Sequence, residues 1–211
     1  MMNRTMKLLM LSDIFVLTGF GLIQPILAIF IDQGVAGGTV LTAGLASTIF
    51  LLTKSLVQLP FGKYIDDHGK KTRWLILGTL LMASVPILYI TADSIYRVYL
   101  AELIYGLGSG LAYPTWLGLW SRNLDRGQES FQWSIYSTST GIGTAATGTL
   151  GAAMASITGF TTTFLLAGAM CLIGCVTLLV LESRSAEKVE DYKKEEARFH
   201  RSRRAFSLLE D

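Results

Sequence analysis

The sequence predicts an all-α membrane protein of six transmembrane helices arranged as a 3+3 inverted repeat. Three observations carry this. Six apolar stretches are each long enough to cross a bilayer. Lysine and arginine alternate strictly between the connections. One pattern, an acid followed by a glycine pair and a proline, occurs twice, 89 residues apart, at Asp13 and Glu102.

The composition comes first. Of 211 residues, 51% are hydrophobic and only 16% are charged, with a mean hydropathy of +0.45. Soluble domains carry about 25% charged residues. The charges are also gathered into short segments and a C-terminal tail, as in polytopic membrane proteins. Cys171 and Cys175 stand four apart in an apolar stretch and read as small packing residues, with neither a disulfide nor a metal site supported. His68 and His200 lack neighbours for a metal, no catalytic constellation is visible, and no glycine loop for a nucleotide phosphate is present. The chain therefore does not read as an enzyme, a primary pump, a nucleic-acid binder or a cofactor protein.

A bilayer-spanning helix needs about 20 residues. The six spans are placed at Leu8–Ile31, Thr39–Phe61, Arg73–Ala92, Ile95–Trp120, Ser130–Ile157 and Thr161–Leu181. The first is too long for a signal peptide and lacks a small-residue cleavage site, so it is read as retained. Sixteen of the eighteen lysines and arginines fall in the N-terminus, the second and fourth connections and the tail. Only Arg97 lies in the other connections, and Lys54 lies inside a span. By the positive-inside rule both termini are cytoplasmic.

The repeated pattern reads DIFVLTGFGLIQP at 13–25 and ELIYGLGSGLAYP at 102–114. Gly19, Gly21, Leu22 and Pro25 answer Gly108, Gly110, Leu111 and Pro114 at the same offsets. Three helices intervene, so the second copy crosses the membrane in the opposite sense. At 100° per residue, Glu102, Tyr105, Gly106, Ser109, Tyr113, Trp116 and Trp120 share a stripe. Asp13, Phe20 and Gln24 share one on the first span, and Ser47, Lys54, Gln58 and Phe61 one on the second. Polar groups on one side of a membrane helix face protein or a watery cavity. Asp13, Lys54 and Glu102 are the candidates for ion coupling or substrate-charge recognition, since each costs about 3 kcal/mol to insert centrally. Gln24, Gln58, Tyr105, Ser109 and Tyr113 are the candidate pathway lining. Trp116 and Trp120 read as packing or interfacial-belt residues. Depth allows an Asp13–Lys54 ion pair. Glu102 has no obvious partner, which makes it a candidate to bind and release a proton.

GKYIDDHGKK, residues 62–71, is the most specific signal. It resembles the cytoplasmic loop signature of the major facilitator superfamily, G-x-x-x-D-[RK]-x-G-[RK]-[RK]. Gly62, Asp66, Gly69, Lys70 and Lys71 match, and Asp67 departs where a basic residue is usual. Gly62 permits close helix approach, Asp66 can cap or pair across the cytoplasmic mouth, Gly69 allows a tight turn, and Lys70 and Lys71 anchor the loop in the cytosol. These five form the candidate gate motif. Gly19 and Pro25 look like the family's first-helix pattern, from which Thr18 and Ala28 depart. In span four the family's R-x-x-Q-G is Glu102, Tyr105 and Gly106 here, so the arginine's role does not carry over. Span five resembles the glycine-rich helix of the antiporter subset, with Thr149 in place of the expected proline and Ala152 and Ala153 in place of paired glycines.

The resemblance covers residues 7–181 and implies the N-terminal six-helix half of such a transporter. It implies two regions, a bundle over 1–181 and a charged cytoplasmic tail over 182–211. In the tail Val189, Tyr192, Phe199, Phe206 and Leu209 suit either a basic amphipathic helix on the inner membrane surface or a solvated segment. Complete members have two halves. The expected partners are a small organic solute, membrane lipids and a second six-helix half, either a second copy or a separate chain. The implied function is secondary active transport by alternating access in a bacterial-type inner membrane, with proton coupling. The alternatives are a non-transporting membrane assembly protein and an inactive half-transporter fragment.

Overall fold

The computed structural model describes the backbone of residues 2–67 and 71–207 and the side chains of 2–67 and 71–184. It contains α1 (Arg4–Gly34), α2 (Val40–Asp67), α3 (Lys71–Ile90), α4 (Ile95–Arg122), α5 (Glu129–Thr158) and α6 (Phe160–Ser207). The six expected spans fall one per helix. Four of them, in α1, α2, α3 and Phe160–Arg184 of α6, are apolar enough along their length to cross a membrane on composition alone. α4 and α5 are more polar because Glu102 and tyrosines interrupt one, and serines, threonines and glycines the other.

Local chemistry sets the helix ends. Asn3 caps α1, its side chain accepting from the Met6 N–H at 2.8 Å, and its amide also donates to the Asn123 side chain at 3.0 Å, tying the start of α1 to the end of α4. α3 gives way to α4 through residues 91–94, the TADS turn. At the same end the Ala36 N–H donates to Asp93 and the Ile95 N–H to Ala36, so the α1–α2 and α3–α4 connections are stitched together. α5 breaks at Gly159, whose φ of 86° a side chain would resist. Prolines lie inside α1, α2, α3 and α4, a placement tolerated in membrane helices because neighbours and side chains re-satisfy freed backbone groups.

The packing follows the inverted repeat. α1 packs on α5 and α6, α4 packs on α2 and α3, and α3 meets α6 between the triplets. Exchanging α1–α3 with α4–α6 maps α1–α5 onto α4–α2 and α1–α6 onto α4–α3, and leaves α3–α6 in place. The repeated glycines sit at those contacts. A Cβ on Gly19 would lie 2.9 Å from the Ala167 carbonyl of α6, and one on Gly108 would lie 2.8 Å from the Gly78 carbonyl of α3. Residues 78 and 167 are themselves 89 apart, the same offset as the two patterns. The second glycines obey the rule too. Gly21 leaves room for Thr144 and Thr147 of α5, and Gly110 for Val57 and the Lys54 carbonyl of α2. Small residues thus let helix backbones approach where lipid supplies no hydrophobic drive.

The core is apolar between α1, α3, α4 and α6. The outer surface is apolar as well, with Leu51, Leu52, Leu56, Leu59, Leu80, Ile87, Leu165, Leu172 and Val176 all exposed, as lipid rather than water requires. α2 and α5 are the least covered helices. Only Ala43, Ala46 and Ile65 of α2, and Gln132, Thr140 and Gly151 of α5, are buried.

Candidate functional site

A cavity of about 330 Å³ opens among α1, α2, α3, α4 and the start of α5. Its polar lining includes Ser12, Asp13, Gln24, Lys54, Thr79, Tyr105, Ser109, Tyr113 and Tyr136. Six of the predicted site residues therefore share one space: Asp13, Lys54, Gln24, Tyr105, Ser109 and Tyr113. The helical stripes explain this, because the lining positions of α4 are 105, 109, 112, 113 and 116, one face of a helix.

Asp13 and Lys54 line the same cavity without pairing. Asp13 accepts a hydrogen bond from the Tyr136 hydroxyl of α5 through Oδ2. Among the described residues its Oδ1 has no partner. The Lys54 ammonium lies 5.0 Å from the centre of the Tyr113 ring and 5.9 Å from that of Phe50, within cation–π reach, and has no carboxylate beside it among the described residues. The expected Asp13–Lys54 ion pair is thus replaced by a carboxylate–phenol bond on one wall and a cation over aromatic rings on another. Depth explains the first. Asp13 lies nine residues into α1 and Tyr136 seven into α5, about 14 and 11 Å from helix ends on the same side of the bundle.

Aromatic rings set the shape of the space. The Tyr105 ring is sandwiched between Phe20 of α1 and Phe50 of α2, each centroid 4.2 Å away with planes 5° and 18° from parallel. Such pairs contribute about 0.5–1.5 kcal/mol beyond buried area. They join three helices at the cavity. Toward the end of the bundle where α4 ends and α5 begins, Trp116 and Trp120 stack at 5.1 Å, with Trp133 and Tyr136 of α5 against them. Trp116, read from sequence as packing or belt, is a cavity wall residue. Its indole N–H and that of Trp120 find no acceptor among the described residues, so ring contact holds this wall.

Glu102 is placed differently. It is buried, lies outside the cavity lining, and accepts a hydrogen bond at 2.8 Å from the Tyr89 hydroxyl of α3. The expectation that it lacks a partner is corrected: the partner comes from the preceding helix, across the short TADS turn. Gln58 also stands apart, in a separate cleft with Ser55, Gly62, Lys63, Tyr113 and Pro114. Sequence reasoning missed Tyr136, Ser12, Thr79 and Phe50. The signal for Tyr136 was its depth, matching that of Asp13, on a helix read only for its glycines.

The motif at 62–71 is partly described. Gly69 and Lys70 lie outside the described residues. Gly62 faces Pro114 of α4. Lys71 is only 4% exposed and pairs with Asp66 at 3.0 Å, its ammonium close to Gly118 of α4. It is therefore turned into the bundle rather than solvated, and the Asp66–Lys71 pair closes the α2–α3 connection on itself. Asp66, beyond the Thr39–Phe61 span, has its carboxyl held below the usual range, first by the hydrogen bond and charge of Lys71 and then by the charge of Arg122. Arg73 and Glu182, 3.0 Å apart, tie α3 to α6 nearby.

Two helix triplets related by inversion, with a polar and aromatic cavity between them, are the architecture of the inverted-repeat membrane transport proteins. The chain belongs to the Major Facilitator Superfamily, whose family model matches residues 9–209. It is an integral membrane protein of that family. A multi-drug resistance efflux pump PmrA homolog from Lactococcus lactis is 28% identical over 85% of this chain and 44% of the relative. The quinolone resistance protein NorA of Staphylococcus aureus is 24% identical over 56% of this chain and 30% of its own length. The crystal structure of the POT family transporter PepTSo superposes with a TM-score of 0.70 at 15% identity, covering 87% of this chain and 38% of that one. The chain spans less than half the length of each of these relatives.

Proposed function

We propose that this chain is the N-terminal half of a secondary active transporter that moves a small organic solute by alternating access, coupled to protons. The observation that carries the reading is the cavity, where Asp13 and Lys54 stand unpaired with each other among aromatic rings. A charge kept in a membrane bundle without its counter-charge is costly and points to an ion or substrate pathway. The names of the relatives, an efflux pump homolog and a quinolone resistance protein, support export of aromatic organic solutes. Asp13 is the coupling group of this reading, Lys54 a substrate-charge group, and Gln24, Tyr105, Ser109 and Tyr113 line the path. Glu102, sealed against Tyr89, is a packing group. Gly62, Asp66, Gly69, Lys70 and Lys71 serve the cytoplasmic gate.

Alternating access needs two bundles rocking about one site. The reading therefore includes a second six-helix half, seated on the sparsely covered faces of α2 and α5. The membrane is a bacterial inner membrane with both termini cytoplasmic, supported by the distribution of lysine and arginine.

The test is flux of an aromatic dye into everted membrane vesicles carrying the chain, with and without an imposed pH gradient. Gradient-driven uptake that Asp13→Asn abolishes supports the reading. Correctly inserted protein without uptake, alone or with cross-linked partners from native membranes, overturns it in favour of a membrane assembly role.

A further inference from the structure

We infer that the cavity selects a zwitterionic aromatic solute, with its ammonium on Asp13 and its carboxylate on Lys54. This deepens the transport reading and rests on it. The two groups face one space of about 330 Å³, at the lower end of the range for organic ligand pockets. Each has unspent capacity. Asp13 accepts from Tyr136 at one oxygen, which leaves Oδ1 for a cationic donor. Lys54 touches only ring faces, which leaves its three N–H donors without an acceptor among the described residues.

The arrangement disfavours the simpler ligands. A cation on Asp13 would also feel Lys54 across the cavity, and an anion on Lys54 would feel Asp13. A molecule carrying both charges leaves neither side chain opposed, and its two ends are read separately. Phe50, Tyr113 and Trp116 line the same space and offer ring surface to an aromatic body, while both faces of Tyr105 are already covered by Phe20 and Phe50. Tyr136 holds Asp13 from outside the contact, as a positioning residue.

The experiment titrates the chain, reconstituted in lipid nanodiscs, with three probes that share one ring. They are para-nitro-L-phenylalanine, a zwitterion, its methyl ester, a cation, and its N-acetyl derivative, an anion. Of the chain's four tryptophans, Trp116 lines the cavity and Trp120 and Trp133 pack against its ring, so quenching of tryptophan fluorescence reads binding. The zwitterion is expected to bind about tenfold or more tighter than either derivative, the scale of one charge-assisted contact. Lys54→Met should make zwitterion and ester bind alike. Asp13→Asn should make zwitterion and N-acetyl anion bind alike. Equal binding of zwitterion and ester to the unaltered chain, or a preference that survives Lys54→Met, overturns the inference while dye flux in vesicles leaves the transport reading standing. Failure of all three probes together with absent flux overturns both.

Discussion

The two triplets each carry an acid at the same place, Asp13 and Glu102, and treat it in opposite ways. Asp13 stands on a cavity wall, bonded across the bundle to Tyr136 of α5. Glu102, 89 residues later, is sealed against Tyr89 of its neighbouring helix, away from the cavity. Their glycines, by contrast, are used identically, Gly19 against α6 and Gly108 against α3. Backbone approach is a requirement of both copies, because each triplet must dock on the other in the same way. Chemistry is required of only one side of one cavity. Packing positions therefore keep the repeat while polar positions diverge from it.

The largest expected effect separates the two acids. Asp13→Asn should lower solute flux about ten- to hundredfold, the scale of one lost charged contact, whereas Glu102→Gln should leave flux within about threefold, since glutamine still accepts from Tyr89. Measured in everted vesicles at equal expression, matching losses would break the contrast. Next comes the sealed pair. Tyr89→Phe leaves the buried Glu102 without its partner and should cost about 1–3 kcal/mol, read as a lowered midpoint of thermal unfolding in detergent. Joining it to Glu102→Leu should recover part of that loss.

The glycines sharpen the other half of the comparison. Gly19→Ala and Gly108→Ala push a methyl group against a neighbouring backbone carbonyl and should each cost about 1–3 kcal/mol. Gly141→Ala and Gly148→Ala, where a Cβ meets nothing within 4 Å, should be neutral or stabilising by up to about 1 kcal/mol. Equal effects on both sets in thermal melts would remove the packing argument. The smallest effect lies at the Asp66–Lys71 pair. Lys71 holds the Asp66 carboxyl below its usual range, so the pair's stabilisation is present above the ordinary aspartate value. It is lost as the pH falls through the depressed one. Asp66→Asn should flatten that acid dependence with little change at neutral pH.

Much of this could be read from the sequence because it is periodic or local. Span length, the alternation of lysine and arginine, and the stripe of Tyr105, Ser109 and Tyr113 each follow from one helix at a time. The partners did not follow. Tyr136 is 123 residues from Asp13, and nothing in either segment names the other until α1 and α5 are docked. Gln58 shares its stripe with Lys54 yet falls in the neighbouring cleft, because one turn of α2 carries it past the cavity edge. Lys71 looks like a solvated anchor in sequence. The Asp66 carboxylate and the gap over Gly118 turn it inward. The offset between Gly78 and Ala167 escaped notice because their residue types differ and only their carbonyls are equivalent.

The central claim is that equivalent acids face different surroundings, and thiol accessibility tests it most directly. In a background with Cys171 and Cys175 replaced by alanine, Asp13→Cys and Glu102→Cys are exposed in intact membranes to a charged, membrane-impermeant methanethiosulfonate reagent applied from the cytoplasmic side. Rapid labelling at position 13, with position 102 unreactive until the protein is denatured, is the predicted result. Equal labelling at the two positions, or faster labelling at 102, would contradict it.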